Sequence, residues 1–505
     1  MSTSHRETVD VAVVGAGPVG LALTTLLARQ GLTVALLDRG RHGVVKPRAT
    51  HLDDESVRVI QAMGVADELE PDFYVPSPFN LYDSDWNSLA HTTLRKEVGD
   101  QAWRYDYMFH QPTFEARIRE VLDAAPAVTA RYGVDVTGVT QDADQATVQG
   151  RDLDTGEDVT VTARYVVGCD GAHSVVRRAL GTDMEDLHGT QRWVVIDLLI
   201  NEGVTGVEDE LHTYATSGPE RTYTFVPTGE RRRRIEYKAL EHETDASLEA
   251  EETVWGLVEK WVTPQTAVIE RADTYVFNAL LAERWRDGRL LLAGDAAHQM
   301  PPKAGQGLCS GLRDVANLAW KLAFCVRGQA SPSLLDTYQS ERAPHARIWI
   351  QISNGIARAI EHVAAGGTPE IQGEQNPESR PPIGPGVHGD APPPAGLLSF
   401  QPFLADGSRL DDRVGPSFSV IAVPDVLEAV DATTRAAWDE LGAVVLAAGD
   451  AGYAAWLADR GIGAVVVRPD KYIYGVAGAA GDLDALTARL TASLAGEAVA
   501  AGGAA

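Results

Sequence analysis

The chain is poor in the residues that mark secreted, metal-held or membrane-spanning proteins. Cysteine occurs three times in 505 residues, at Cys169, Cys309 and Cys325, with no CxxC pair and no Cys/His cluster at zinc spacing. That gives no sign of a disulfide framework or a structural metal, so no metal ligands are expected. No uninterrupted apolar run approaches the ~18 residues that a bilayer-crossing helix requires. The polar opening Met1–Glu7 lacks the apolar stretch and small-residue cleavage site of a secretory signal, so a reducing, cytoplasmic setting is expected. Basic residues are outnumbered, 44 Lys and Arg against 71 Asp and Glu, for a formal charge of −27. A polyanion of that size is repelled by phosphate backbones and anionic lipid, which removes nucleic acid and membrane from the expected partners.

What is present is ordinary globular material, 44% hydrophobic and 23% charged, enough for two or three packed units. The segment from Val9 to Val14 reads as a buried strand, Pro18 to Gln30 has the apolar spacing of a helix stopped by Gly31, and Leu32 to Asp38 reads as a second strand. Strand, glycine turn, helix and strand form a βαβ unit with a parallel sheet. The turn itself is Gly15-Ala-Gly17-Pro-Val-Gly20, and Asp38 closes the second strand where an acid can accept from ribose hydroxyls. In that context the glycines permit a tight turn, close approach of a pyrophosphate and close packing of helix on strand. Spacing alone leaves NAD and FAD both open.

Between Leu187 and Leu240 the pattern changes to short alternating segments separated by Gly, Pro and charged turns, the signature of an antiparallel sheet. The α/β pattern returns at Arg289–Gly294, followed by a helical stretch from Leu308 to Val326, so the first unit is expected to be discontinuous. Gly366–Pro394 is dense in Gly, Pro and Glu and reads as a linker, and a small αβ unit follows. The expected organisation is a first cofactor segment at 1–182, a substrate-binding sheet at 183–275, a second cofactor segment with long helices at 276–365, a linker at 366–395, a C-terminal unit at 396–498 and a tail at 499–505.

Two further segments are specific. Val166-Val-Gly-Cys-Asp170-Gly171-Ala-His-Ser-Val-Val-Arg177 and Leu292-Ala-Gly-Asp295-Ala-Ala-His-Gln-Met-Pro-Pro302-Lys303-Ala-Gly305-Gln-Gly307-Leu308 resemble the fingerprints of the class A flavoprotein aromatic hydroxylases of the 4-hydroxybenzoate hydroxylase type. The run from Gly294 to Leu322 is most similar to the 3-(3-hydroxyphenyl)propionate hydroxylase branch, and the C-terminal unit resembles that branch's thioredoxin-like appendage. That unit contains no cysteine, which excludes thiol–disulfide chemistry there.

The resemblance implies an α/β fold: a Rossmann-type FAD-binding domain with an inserted antiparallel substrate sheet. It also implies FAD contacts by Gly15, Gly17, Gly20, Asp38, Arg39, Arg48, Gln111, Asp170, Gly171, Asp295, Pro302, Gly305, Gly307 and Leu308. Catalytic positions would be Pro302, through its carbonyl, with Arg221, Tyr223 and His212; the substrate would meet His51, Tyr214, Tyr223, Phe225 and Lys303. Alternation puts Arg221, Tyr223 and Phe225 on one strand face, a pattern that suits either a ring-binding surface or ordinary core. The implied reaction is hydroxylation of a phenolic or polyketide-like ring through a flavin C4a-hydroperoxide, using O2 and transiently bound NADPH or NADH. Baeyer–Villiger or epoxidising chemistry on the same fold, a non-catalytic flavin-binding role and a homodimeric assembly stay open at this stage.

Overall fold

The computed structural model of the chain describes residues 5–75, 79–83, 85–91, 97–204, 213–217, 221–364 and 380–497. The opening strand, His5–Val14, lies parallel to Val34–Asp38 on one side and Asp158–Gly168 on the other, with Val11 to Val13 fully buried. Burial on both faces is what a continuous valine run requires. The sheet extends through Val128–Tyr132 beyond Val34–Asp38 and through Leu290–Leu292 beyond Asp158–Gly168, both parallel. Leu290–Leu292 therefore joins this sheet from the far side of a second one.

The second sheet has seven strands in the order Ala267–Phe277, Gln191–Ile200, Arg232–Lys238, Thr222–Pro227, Thr213–Ser217, Phe79–Tyr82 and Ser88–His91. Two of these come from within the first 182 residues, so this unit is not the contiguous 183–275 segment expected. Phe79–Tyr82 enters parallel to Thr213–Ser217, the only parallel pairing in a sheet that is otherwise antiparallel among the described strands. One face, bearing Val194, Ile196, Leu198, Tyr214, Tyr223, Phe225, Ile235 and Tyr237, packs with Leu248, Val254 and Val258 around the helix Glu251–Val258. At about 1.5–3 kcal/mol per buried large side chain, that face is committed to core. The other face, with Trp193, Asp197, Thr224, Arg234 and Glu236, turns toward the first unit.

Two long helices, Gln306–Arg327 and Asp336–Ala364, connect the units. The C-terminal sheet runs Val444–Ala447, Ser419–Ala422, Ala464–Val467, Ile473–Ala477, its first pair parallel and the rest antiparallel. It docks through buried charge: Arg468 reaches Glu341 of the long helix at 2.7 Å, and Arg58 of the helix Asp54–Ala62 reaches Asp411 at 2.6 Å. Breaking one partner of such a pair costs about 3–5 kcal/mol, which fixes the docking geometry. The first part of the expected linker, 366–379, lies outside the described residues; the rest, 380–395, runs in turns over the first unit, with Arg380 paired to Asp54 and Val387 N–H donating to Glu341. No described helix is long and apolar enough to cross a membrane, and no described group of three or more His, Cys, Asp or Glu is arranged to hold a metal ion.

Candidate active site

The first glycine turn uses its three glycines differently. A Cβ on Gly15, whose φ is 103°, would lie 2.4 Å from the Cys169 carbonyl oxygen, and one on Gly20 would lie 1.8 Å from that of Gly15. Those two serve close packing. A Cβ on Gly17 would meet nothing within 4 Å, and Gly17 begins the helix Pro18–Arg29 with no side chain capping it. Open space before an uncapped helix N-terminus fits a pyrophosphate. Asp38 accepts from the N–H groups of Ala16 and Gly40, each at 2.6 Å, so its carboxylate also pins the turn. Arg39 extends into solvent, 3.6 Å from Asp135. Arg119, which sequence reasoning passed over, donates to the Ala16 carbonyl at 3.1 Å and lies over the Tyr132 ring.

The second and third motifs close on this turn from the other side. Asp295 presents its carboxylate to open space, yet surrounding protein raises its pKa by desolvation, while His298 and Arg48 act against the rise. That combination describes a group lining a concave cleft, with the exposed Arg48 brought beside it from far away in sequence. Gln111 is buried, and its Oε1 accepts from the N–H groups of Arg48 and Ala49 at 2.8 Å each, so it positions Arg48's backbone. Arg234 holds the same strap by donating to the Arg48 carbonyl at 2.8 Å and the Pro47 carbonyl at 2.6 Å, while pairing with Asp197. Asp314 pins the turn before Asp295, accepting from Gly294 N–H at 3.1 Å and from His298 at 2.6 Å.

Asp170 has a use in the fold itself. Its carboxylate caps the helix Val175–Leu180, accepting from Val175 N–H at 2.6 Å and from the Ser174 hydroxyl. Burial nevertheless raises its pKa, and those hydrogen bonds oppose the rise. Gly171, with φ 74°, makes the left-handed turn that this cap requires.

In the turn Pro302–Leu308, the Pro302 carbonyl accepts from Gly305 N–H at 2.9 Å, which uses one of its two lone pairs. A Cβ on Gly307 would meet only Met300, at 3.8 Å, leaving its backbone open, and Leu308 packs on the main core. His51 fastens the turn: its Nδ1 is 3.2 Å from the Gly305 carbonyl and its Nε2 is 2.8 Å from Asp106. Both ring nitrogens face acceptors, which calls for the imidazolium. Burial opposes that charge, but the hydrogen bonds to Asp106 and Cys309 outweigh it and raise the pKa well above the ordinary value.

The sheet supplies the last wall, and of the two readings open for its aromatic face the packing is that of core. Tyr214, Tyr223 and Phe225 lie in the core on the far face: Tyr214 stacks on Phe225 at 5.1 Å between ring centres, and Tyr223 and Phe225 both meet Trp261. Arg221, on the same side, forms a bidentate pair with Glu243. The apolar helix Glu251–Val258 claims that face, so none of the four lines the inter-unit wall. His212 lies outside the described residues. Lys303 neither points to solvent nor stands free for a carboxylate: it is buried, 3.1 Å from Glu236 and 3.3 Å from the centre of the Trp193 ring. Thr224 also donates to Glu236, at 3.3 Å. Burial works against the Glu236 charge, and Lys303 with Arg234 more than compensates, holding its pKa below the ordinary range.

A helix end open to a phosphate, an acid-lined cleft and an amide-bearing turn, contributed by three distant stretches and facing a covered sheet, suit a dinucleotide cofactor, and the family that the chain matches identifies it as FAD. Residues 8–353 match the FAD binding domain family, and 396–493 match the HcaD C-terminal domain. The chain is 34% identical, over 97% of its own length and 96% of the relative's, to "Probable NADH-specific resorcinol 4-hydroxylase" of Rhodococcus jostii. It is also 34% identical to a 3-(3-hydroxy-phenyl)propionate/3-hydroxycinnamic acid hydroxylase of Mycolicibacterium smegmatis, covering 91% of this chain and 85% of that one. In fold it is similar to aklavinone-11 hydroxylase solved with FAD and aklavinone (TM-score 0.81, 25% identity, 97% of this chain and 100% of that one). It is likewise similar to the flavin-dependent monooxygenase PieE (TM-score 0.82, 23% identity, 96% and 99%). The chain belongs to the FAD binding domain family, in its hydroxyphenylpropionate and resorcinol hydroxylase branch, and is an FAD-dependent, NAD(P)H-consuming aromatic monooxygenase.

Proposed function

We propose that this enzyme hydroxylates a small, uncharged phenol of the resorcinol kind, held between the Pro302–Leu308 turn and the sheet face of Trp193, Thr224 and Glu236. The observation that carries this reading is the internal neutralisation of Lys303 by Glu236. A substrate carboxylate needs an unspent cation beside it. The other cations of this wall are also paired, Arg234 and Arg271 with Asp197 and Lys238 with Glu361.

FAD, when bound, supplies the reductive and oxygen-transferring chemistry. Gly17 and the following helix end would meet its pyrophosphate, Asp295 and Arg48 its ribityl side, and the Gly305–Leu308 backbone its ring system. The nicotinamide cofactor would bind transiently on the Arg48 side. For the phenol, Glu236 is a hydrogen-bond acceptor: Lys303 and Thr224 both contact its Oε2, leaving Oε1 to accept from the substrate hydroxyl, with the Pro302 carbonyl as a second acceptor. Polarising that O–H bond raises electron density ortho and para to the oxygen, where an electrophilic oxygen atom is taken up. The buried walls exclude water from the ring. The C-terminal unit is assigned a thioredoxin-like architecture, supported by a parallel pair extended by two antiparallel strands.

Product analysis decides the substrate: resorcinol should accelerate NADH or NADPH oxidation and gain one oxygen atom by mass. Preferential turnover of 3-(3-hydroxyphenyl)propionate would overturn the proposal. Asp295→Ala should lower bound flavin sharply, and a variant purified with full flavin content would overturn the ribityl assignment.

A further inference from the structure

Tyr472 lies in the C-terminal unit, just before the strand Ile473–Ala477, yet its hydroxyl ends in the cofactor unit, donating to Glu55 Oε1 at 2.7 Å. Glu55 sits in the first turn of the helix Asp54–Ala62, and its other oxygen accepts from Arg313 Nε at 2.6 Å. Arg313 then divides: Nη1 donates to Gln306 Oε1 at 2.8 Å, and Nη2 to Asp53. Gln306 stands between Gly305 and Gly307, and Asp53 ends the short strand that begins with His51. Both branches therefore reach the same turn, one through the Gln306 side chain and one through the strand whose imidazole meets the Gly305 carbonyl. Tyr472, Glu55, Arg313 and Gln306 are all buried. The C-terminal unit grips the same helix again one turn later, where Arg58 pairs with Asp411 and donates to the Ser399 carbonyl.

We propose that the C-terminal unit is a positioning element for the Gly305–Leu308 turn, acting through the chain of hydrogen bonds Tyr472–Glu55–Arg313–Gln306. This gives a cysteine-free appendage a task in the reaction, and it rests on the reading above that this turn faces the flavin. The chemistry suits a fixed linkage. Burial, with Glu55 beside it, pushes the Tyr472 hydroxyl well above its ordinary pKa, so it stays a donor. Burial opposes the Arg313 charge, but Asp53 and Glu55 more than restore it. Each nitrogen of the guanidinium has its own acceptor, so its orientation is set by three elements at once, and a fully satisfied buried network of this kind has one low-energy arrangement.

The test uses the full-length protein carrying Tyr472→Phe, which keeps the ring and removes one donor. In the FAD-free protein, hydrogen exchange of the 305–308 amides should accelerate about three- to tenfold, the effect of losing one net hydrogen bond. In the FAD-loaded protein, the visible circular dichroism of the flavin should change and more hydrogen peroxide should form per NADH consumed. Glu55→Gln should act in the same direction. Val466→Ala, which truncates a residue in the core of the C-terminal unit, should lower the melting temperature without altering either signature. Unchanged exchange and dichroism in Tyr472→Phe would overturn the proposal, as would equal changes in Val466→Ala. A wild-type protein that binds no FAD would instead overturn the site reading, while the exchange experiment on FAD-free protein would still decide the coupling.

Discussion

Lys303 and Glu236 form a buried ion pair, 3.1 Å from Nζ to Oε2, across the gap between the Pro302–Leu308 turn and the middle sheet. The cation nearest the proposed ring site is thus bound to the protein's own carboxylate. Under the proposed function, that pairing favours a neutral over an anionic substrate in a chain 34% identical both to a resorcinol hydroxylase and to a hydroxyphenylpropionate hydroxylase.

Replacing Glu236 by Gln frees that charge. Glu236→Gln should lower KM for a carboxylated phenol relative to resorcinol by about tenfold, or ~1.4 kcal/mol, and should depress kcat for resorcinol by removing the charged hydrogen-bond acceptor for its hydroxyl. Steady-state kinetics on the two substrates checks this; an unchanged ratio would show that Lys303 takes no part in specificity.

The glycines of the first turn should separate by readout. Gly20→Ala places a methyl 1.8 Å from the Gly15 carbonyl oxygen and should destabilise the fold, by about 1–3 kcal/mol or more. Gly17→Ala meets no atom, so it should leave stability within about 0.5 kcal/mol while weakening FAD binding. Thermal melts of FAD-free protein and a flavin titration distinguish the two, and equal loss of stability would contradict the different uses assigned to these glycines.

His51 predicts a pH dependence of stability. Its folded pKa is raised well above 6.5 by Asp106 and Cys309, with Asp53 also facing it. A raised imidazole stabilises fully below its unfolded pKa and loses that contribution as pH climbs through the folded value. Wild-type stability should therefore decline as pH rises above 6.5, and His51→Gln should lack that component. Parallel slopes of melting temperature against pH in the two proteins would remove the imidazolium from the account.

Tyr223 and Phe225 should behave as core. Phe225→Ala should cost about 3–5 kcal/mol, and Tyr223→Phe should leave KM for the phenol unchanged. A severalfold rise in KM for Tyr223→Phe, with an unaltered melt, would return that residue to the ring site.

The βαβ unit and its glycine turn were legible in sequence because they are local: a strand, a turn and a helix are consecutive, as Asp295 and Gly305 are within one short motif. The sheet was legible only by halves. Alternation states that Arg221, Tyr223 and Phe225 share a face, but the direction of that face depends on which partner is apolar. The helix Glu251–Val258, with Val254 and Val258 buried, held that signal. It should have claimed the aromatic face and left Thr224, Glu236 and Trp193 for the site. The arginine run at Arg231–Arg234 likewise concealed a fastening, since nothing local pairs Arg234 with Asp197 or with the carbonyls of Pro47 and Arg48. Tyr472 and Glu55 meet only where the C-terminal unit docks on the cofactor unit, 417 residues apart in the chain, so no window of sequence contains their relationship.

Leu290–Leu292 completes the parallel sheet, and Asp295 follows directly beyond its end. The glycine turn proposed for the phosphates is thus separated from the Asp295 turn proposed for the ribityl chain by every strand of the middle sheet. A chain truncated before Leu290 would therefore carry the glycine turn and the middle sheet's strands but lack Asp295 and the Pro302–Leu308 turn.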